Sequence, residues 1–176
     1  SVLVSKAISQ FERTMISFDS KYDKFFFNDE DVYSESEERG FDLYFDKAEC
    51  IHCHSGPMLT DFTFRNNGLD LVITDNGLGK VTGLTSDDGK FKVPTLRNIE
   101  LTAPYMHDGR FATLEDVIEH YNSGVESTSP NLDVEMNHFA DGLELTAQEK
   151  TDLIAFLKTF TDFTFLTSPD FSDPNK

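Results

Sequence analysis

The chain has 176 residues and carries 32 Asp and Glu against 15 Lys and Arg, a formal net charge of -17. Such a charge repels phosphate backbones and anionic lipid, which argues against nucleic-acid and membrane-surface partners. The length suits one domain with its own core, and 38% hydrophobic residues, 17 Phe among them, argue against disorder. No apolar run is long enough to span a bilayer, and the opening SVLVSKAISQF lacks the segments of a signal peptide, so any export signal is expected to have been removed or not included.

Four helices are expected in chain order. Val4, Ala7, Ile8, Phe11, Met15 and Phe18 recur at the spacing of one helix face and predict an amphipathic helix over residues 3–18. A second begins at Ser34, which pairs with Glu37 as a capping box, and its stripe of Phe41, Tyr44, Phe45 and Ala48 leads into Cys50. Residues 55–112 are rich in Gly, Asn, Asp and Pro; only DLVIT reads as a short strand, and a stretch this irregular is expected to wrap something or serve a site. Helix returns at Thr113 with Asp116 at the capping position and Leu114, Val117, Ile118 and Tyr121 as its apolar face, ending at Asn122 or Gly124. The last helix opens with Thr146 and Glu149 and buries Leu153, Ile154, Phe156, Leu157 and Phe160.

The stretch CIHCH at 50–54 holds both cysteines of the chain, followed at once by a histidine. Three chemistries compete for it. A thioredoxin-type redox pair needs a strand before it and a helix opening on it, whereas this motif follows a helix. A structural zinc site needs four ligands, and here would draw on His54 with one of His52, His107, His120 or His138. Covalent haem attachment uses the two thiols for the two vinyl groups and the histidine as axial ligand, and the irregular stretch then becomes the wall around the cofactor. The helical context and the cysteine count favour haem c.

ISQFERTMISFDSKYDKF, ERGFDLYF before CIHCH, FKVPTLRNIELTAPYMHDGRFATLEDVIEHYNSG and LTAQEKTDLIAFLKTF together resemble the C-terminal half of the bacterial dihaem cytochrome c peroxidases. The resemblance covers nearly the whole chain, and the block from Phe91 to Gly124 is its most specific part. It implies an all-α, cytochrome c-like domain with one haem c, bound through Cys50, Cys53 and His54. By the same resemblance, residues 1–33 are a leading helix and linker from an N-terminal peroxidatic domain, 34–165 the haem domain and 166–176 a loose tail. The family implies a periplasmic enzyme in which this domain takes single electrons from a small cytochrome c or cupredoxin and relays them to the haem that reduces hydrogen peroxide. A homodimer is compatible with it.

Members of the family commonly have a methionine as distal iron ligand; counted from APY, its position falls on Tyr121. A related subgroup, similar to the dihaem enzyme that matures the tryptophan-derived cofactor of methylamine dehydrogenase, has a tyrosine there as axial ligand. Phenolate ligation favours ferric iron and lowers the potential. The alternative is a buried tyrosine with a bonded hydroxyl, since Tyr121 also lies on an apolar face. Met106 and Met136 are the other distal candidates, and Met58 lies too close to His54 to reach the opposite side. The resemblance further places His107 near the haem edge and Thr102 and Pro104 at a calcium ion on the domain boundary. His52 is expected to point away from the haem, and Arg65 and Arg97 to meet propionates or carboxylates.

Overall fold

The computed structural model describes residues 2–173. Helices α1 (Val2–Glu12), α2 (Lys21–Asn28), α3 (Glu35–Phe45), α4 (Gly79–Thr82), α5 (Leu114–Glu119), α6 (Ala147–Lys158) and α7 (Phe163–Leu166) dominate it. The strands are two residues each, β1 (Phe64–Arg65) and β2 (Phe91–Lys92), paired antiparallel. The expected all-α class therefore holds, and the three capping boxes at Ser34/Glu37, Thr113/Asp116 and Thr146/Glu149 all form.

The core is an aromatic cluster between α3 and α6. Tyr44, Phe156 and Phe160 are fully buried, with Tyr22 edge-on to Phe156 and Phe160. The two helices approach so closely at Gly40 that an added Cβ would lie 2.1 Å from the Asp152 carbonyl oxygen. Beside it the Asp152 side chain accepts from Ser36, Arg39 and Gln148. Alanine is the better helix former by about 1 kcal/mol, yet Gly40→Ala must push α3 off α6. A net loss of about 1–3 kcal/mol is expected, read as a lower Tm in thermal denaturation; an unchanged or higher Tm would show that the contact yields.

Several expectations are corrected. The first helix stops at Glu12 rather than 18, where the Thr14 hydroxyl donates to the Phe11 carbonyl, and it buries none of its residues. Residues 20–33, expected as linker, contain α2, whose capping box of Ser20 and Asp23 goes with the buried Tyr22 and Tyr33. DLVIT forms no strand; β1 and β2 pair with each other, and Leu71 and Val72 stay exposed. Within the tail, the Phe171 ring packs against Phe11 and Phe165. The tail's last three residues lie outside the described ones.

Candidate haem-binding site

CIHCH does not continue α3. Asp46 leaves helical geometry, Glu49 adopts a left-handed φ of 45°, and Cys50–His52 begin a separate tight turn. The Cys50 carbonyl accepts from Cys53 N at 3.3 Å and His54 N at 2.9 Å, so the five residues form one helical turn. Residues three and four apart on such a turn share a side. Both cysteines are free, and burial pushes the Cys50 thiol to about 12 and the Cys53 thiol to about 11. Unreacted, they are protonated at neutral pH.

His54 is oriented by backbone alone. Its Nδ1 lies 3.2 Å from the Leu59 carbonyl oxygen and 3.1 Å from that of Pro94, both acceptors, so Nδ1 carries the proton and Nε2 the lone pair. Burial lowers the His54 pKa, which keeps the imidazole neutral and fit for iron. Leu59 presents its carbonyl from a φ of 51°, a strained conformation for a branched residue that is itself fully buried. Behind the motif the buried Tyr44 donates its hydroxyl to the His54 carbonyl at 2.6 Å. Neither Leu59 nor Pro94 carries a sequence signal for this role; Tyr44 shows only as a member of an apolar stripe.

Arg97 ties this proximal turn to the body. It donates to the Pro57 carbonyl and makes a bidentate pair with Asp23, both side chains almost fully buried. Arg65 is likewise taken up by Asp61 and Asp133. Both guanidiniums thus meet carboxylates.

Tyr121 sits in a π-helical turn, His120–Gly124, that continues α5, a distortion frequent at functional sites. Its ring packs on Phe139, and burial raises its phenol to about 12. The Asn67 amide nitrogen reaches both the Tyr121 oxygen, at 3.3 Å, and the Met106 sulfur, at 3.6 Å. Two of the three distal candidates therefore converge on one side chain. Met136, the third, is buried in the main core.

The remaining candidates scatter. His107 is exposed and stacks on Phe91 at 3.7 Å between centroids. His52 turns outward to Glu135, His138 bonds the Lys47 carbonyl, and His120 bonds the Asn67 carbonyl. No group of three or more His, Cys, Asp or Glu that could hold a metal ion occurs among the described residues, which leaves the zinc reading without a ligand set. Thr102 and Pro104 are both exposed, and the Thr102 hydroxyl donates to the Ile99 carbonyl. The residues present do fit a covalently held haem: two free thiols on one turn and a neutral histidine with its lone pair on Nε2.

A mostly helical body built around such a CxxCH turn is a cytochrome c-like haem domain in class. No family model matches the chain. The methylamine utilization protein MauG of Methylorubrum extorquens is 38% identical over 158 residues, 89% of this chain and 43% of that protein. Cytochrome c551 peroxidase of Nitrosomonas europaea is 36% identical over 175 residues, 97% of this chain and 46% of that protein. A solved MauG-like protein associated with microbial copper homeostasis superposes with a TM-score of 0.79 at 42% identity, covering 91% of this chain and 53% of that one. The chain belongs with the dihaem peroxidases, the family of MauG and the bacterial cytochrome c peroxidases. It spans about half the length of the curated relatives it matches.

Proposed function

We propose that this chain is the C-terminal, electron-relaying haem c domain of a periplasmic dihaem peroxidase. The observation that carries it is the CIHCH turn, with free thiols and with the His54 proton held on Nδ1 by Leu59 and Pro94. Bound haem c supplies a one-electron iron couple. Cys50 and Cys53 would tether it through their thiols, His54 would offer its Nε2 to the iron, and Tyr121 would offer its phenol oxygen. The irregular stretch 55–112 forms the surrounding wall. Peroxide reduction takes two electrons while a cytochrome or cupredoxin donor gives one at a time, so this domain stores and relays them to a peroxidatic haem in the N-terminal domain.

Two further features support the reading. Val4, Ile8 and Phe11 of α1 form an apolar stripe that this chain leaves exposed, a surface suited to a second domain. The net charge of -17 suits a basic electron donor. By the family resemblance, the exposed His107 would serve at the haem edge, and the exposed Thr102 and Pro104 would offer oxygens for calcium at the domain boundary. No helix among the described residues is long and apolar enough to cross a membrane.

A second reading, oxidation of a protein substrate in the manner of the cofactor-maturing relatives, is favoured by one observation, a tyrosine where the peroxidases commonly place methionine. In full-length protein, steady peroxide turnover with a reduced donor supports the first reading, and peroxide-dependent oxidation of a protein substrate without a donor supports the second.

Haem attachment is tested on protein made in a host with a haem-attachment pathway. Intact mass is expected to show one covalent haem, retained through a single thioether in Cys50→Ser or Cys53→Ser and lost in the double variant. Wild-type protein free of iron and haem would end the proposal.

A further inference from the structure

Asn67 occupies an unusual place between the candidate ligands. Its neighbours hold its backbone rigidly. Asn66 is buried, donates its amide to the Ser129 hydroxyl and the Pro130 carbonyl, and accepts from Gly68 N. Gly68 adopts a φ of 69°, and an added Cβ there would lie 2.8 Å from a Val125 methyl. The Gly68 carbonyl accepts from Glu126 N at 2.8 Å and the Asn66 carbonyl from Asp133 N at 3.0 Å, so residues 66–68 are laced to the segment 126–133.

From this clamped position Asn67 grips the π-turn twice. Its backbone carbonyl lies 3.1 Å from His120 Nε2, which must donate to it, and its side-chain nitrogen lies 3.3 Å from the Tyr121 oxygen. The Met106 sulfur, 3.6 Å from the same nitrogen, can only accept, which fixes the end of the amide that faces this space. A phenolate oxygen is likewise only an acceptor. One residue therefore fixes two consecutive residues of the turn and aims a donor at the oxygen of the second.

We propose that Asn67 is the positioning residue for Tyr121, holding its oxygen in place and drawing charge from it, so that the Asn67 amide sets how strongly that oxygen donates to iron. The inference rests on Tyr121 being the distal ligand. A hydrogen bond to an axial ligand is one of the levers by which a protein tunes a haem. Without the amide the phenolate is the stronger donor, and ferric iron is favoured further.

The test compares wild-type holoprotein with Tyr121→Phe, Asn67→Leu, Asn67→Ala and Asn67→Gln by ferric absorption, EPR and midpoint potential. Leucine keeps the volume of asparagine and removes its donor, and alanine serves should leucine disturb folding. Loss of the tyrosinate signature in Tyr121→Phe, with a lower midpoint potential and a red-shifted phenolate band in Asn67→Leu or Asn67→Ala and return toward wild type in Asn67→Gln, supports the proposal. If Tyr121→Phe loses the signature while the Asn67 variants keep both band and potential, Asn67 has no such role and the ligand assignment stands. If Tyr121→Phe matches wild type, the ligand assignment fails, and the role of Asn67 with it.

Discussion

Replacing His54 with alanine is expected to leave the haem tethered but to abolish the six-coordinate, low-spin ferric signature almost completely. In the proposed site the tether falls to Cys50 and Cys53, whose thiols lie on the same turn but do not depend on the imidazole. Ligation of iron by His54 would depend on an imidazole whose direction is set by two backbone carbonyls, those of Leu59 and Pro94. Leaving those carbonyls without their donor costs about 1–3 kcal/mol, below the roughly 5–15 kcal/mol that holds a domain together, so the variant is expected to stay folded and its spectrum to report on ligation. Added imidazole is expected to restore part of the low-spin signal by filling the space left. A His54→Ala spectrum identical to wild type would remove His54 from the coordination sphere and the electron-relay reading with it.

The second large effect is on stability, at the buried pair of Asp23 and Arg97. Both side chains are about as buried as the core, and Arg97 also holds the Pro57 carbonyl in the loop that follows the haem-binding turn. Asp23→Ala leaves a guanidinium buried without its carboxylate and removes the capping-box partner of Ser20, for a loss of about 3–5 kcal/mol. That is a large share of the roughly 5–15 kcal/mol that holds a domain of this kind together. Pairing it with Arg97→Met removes the orphaned charge and should recover part of the loss; a double-variant loss equal to the sum of the two single losses would show that the pair is not coupled. Urea denaturation of each protein reads this directly.

The same pair sets a pH dependence. Burial raises the Asp23 pKa, but hydrogen bonds from Arg97 and Ser20 outweigh it and hold the carboxyl below its ordinary value. A group depressed in the folded state contributes fully above its unfolded pKa, about 3.9, and loses that contribution as pH falls through the folded value. Wild-type stability should therefore fall below about pH 4, and Asp23→Ala should show a shallower decline over that range. Asp152, depressed by its hydrogen bond from Arg39, keeps part of the acid limb in the variant.

What the sequence determined by itself is local. Ser34, Thr113 and Thr146 start helices because a capping box satisfies its donors within four residues, and CIHCH brings its thiols and imidazole together because five residues close one turn. The Ser20 and Asp23 box is equally local, but the run KFFFN that follows has no clear helical period, so no apolar pattern marks α2 as a helix. DLVIT failed for the opposite reason, since its residues favour a strand that no neighbour was there to pair. Tertiary structure alone decided where the Leu59 and Pro94 carbonyls point, that Arg97 spends itself on Asp23, and that Asn67 meets Tyr121 across 54 positions of chain. Those contacts join segments far apart in sequence, and a backbone carbonyl or a left-handed leucine leaves no mark in residue type. Their energies are settled only when the whole core closes.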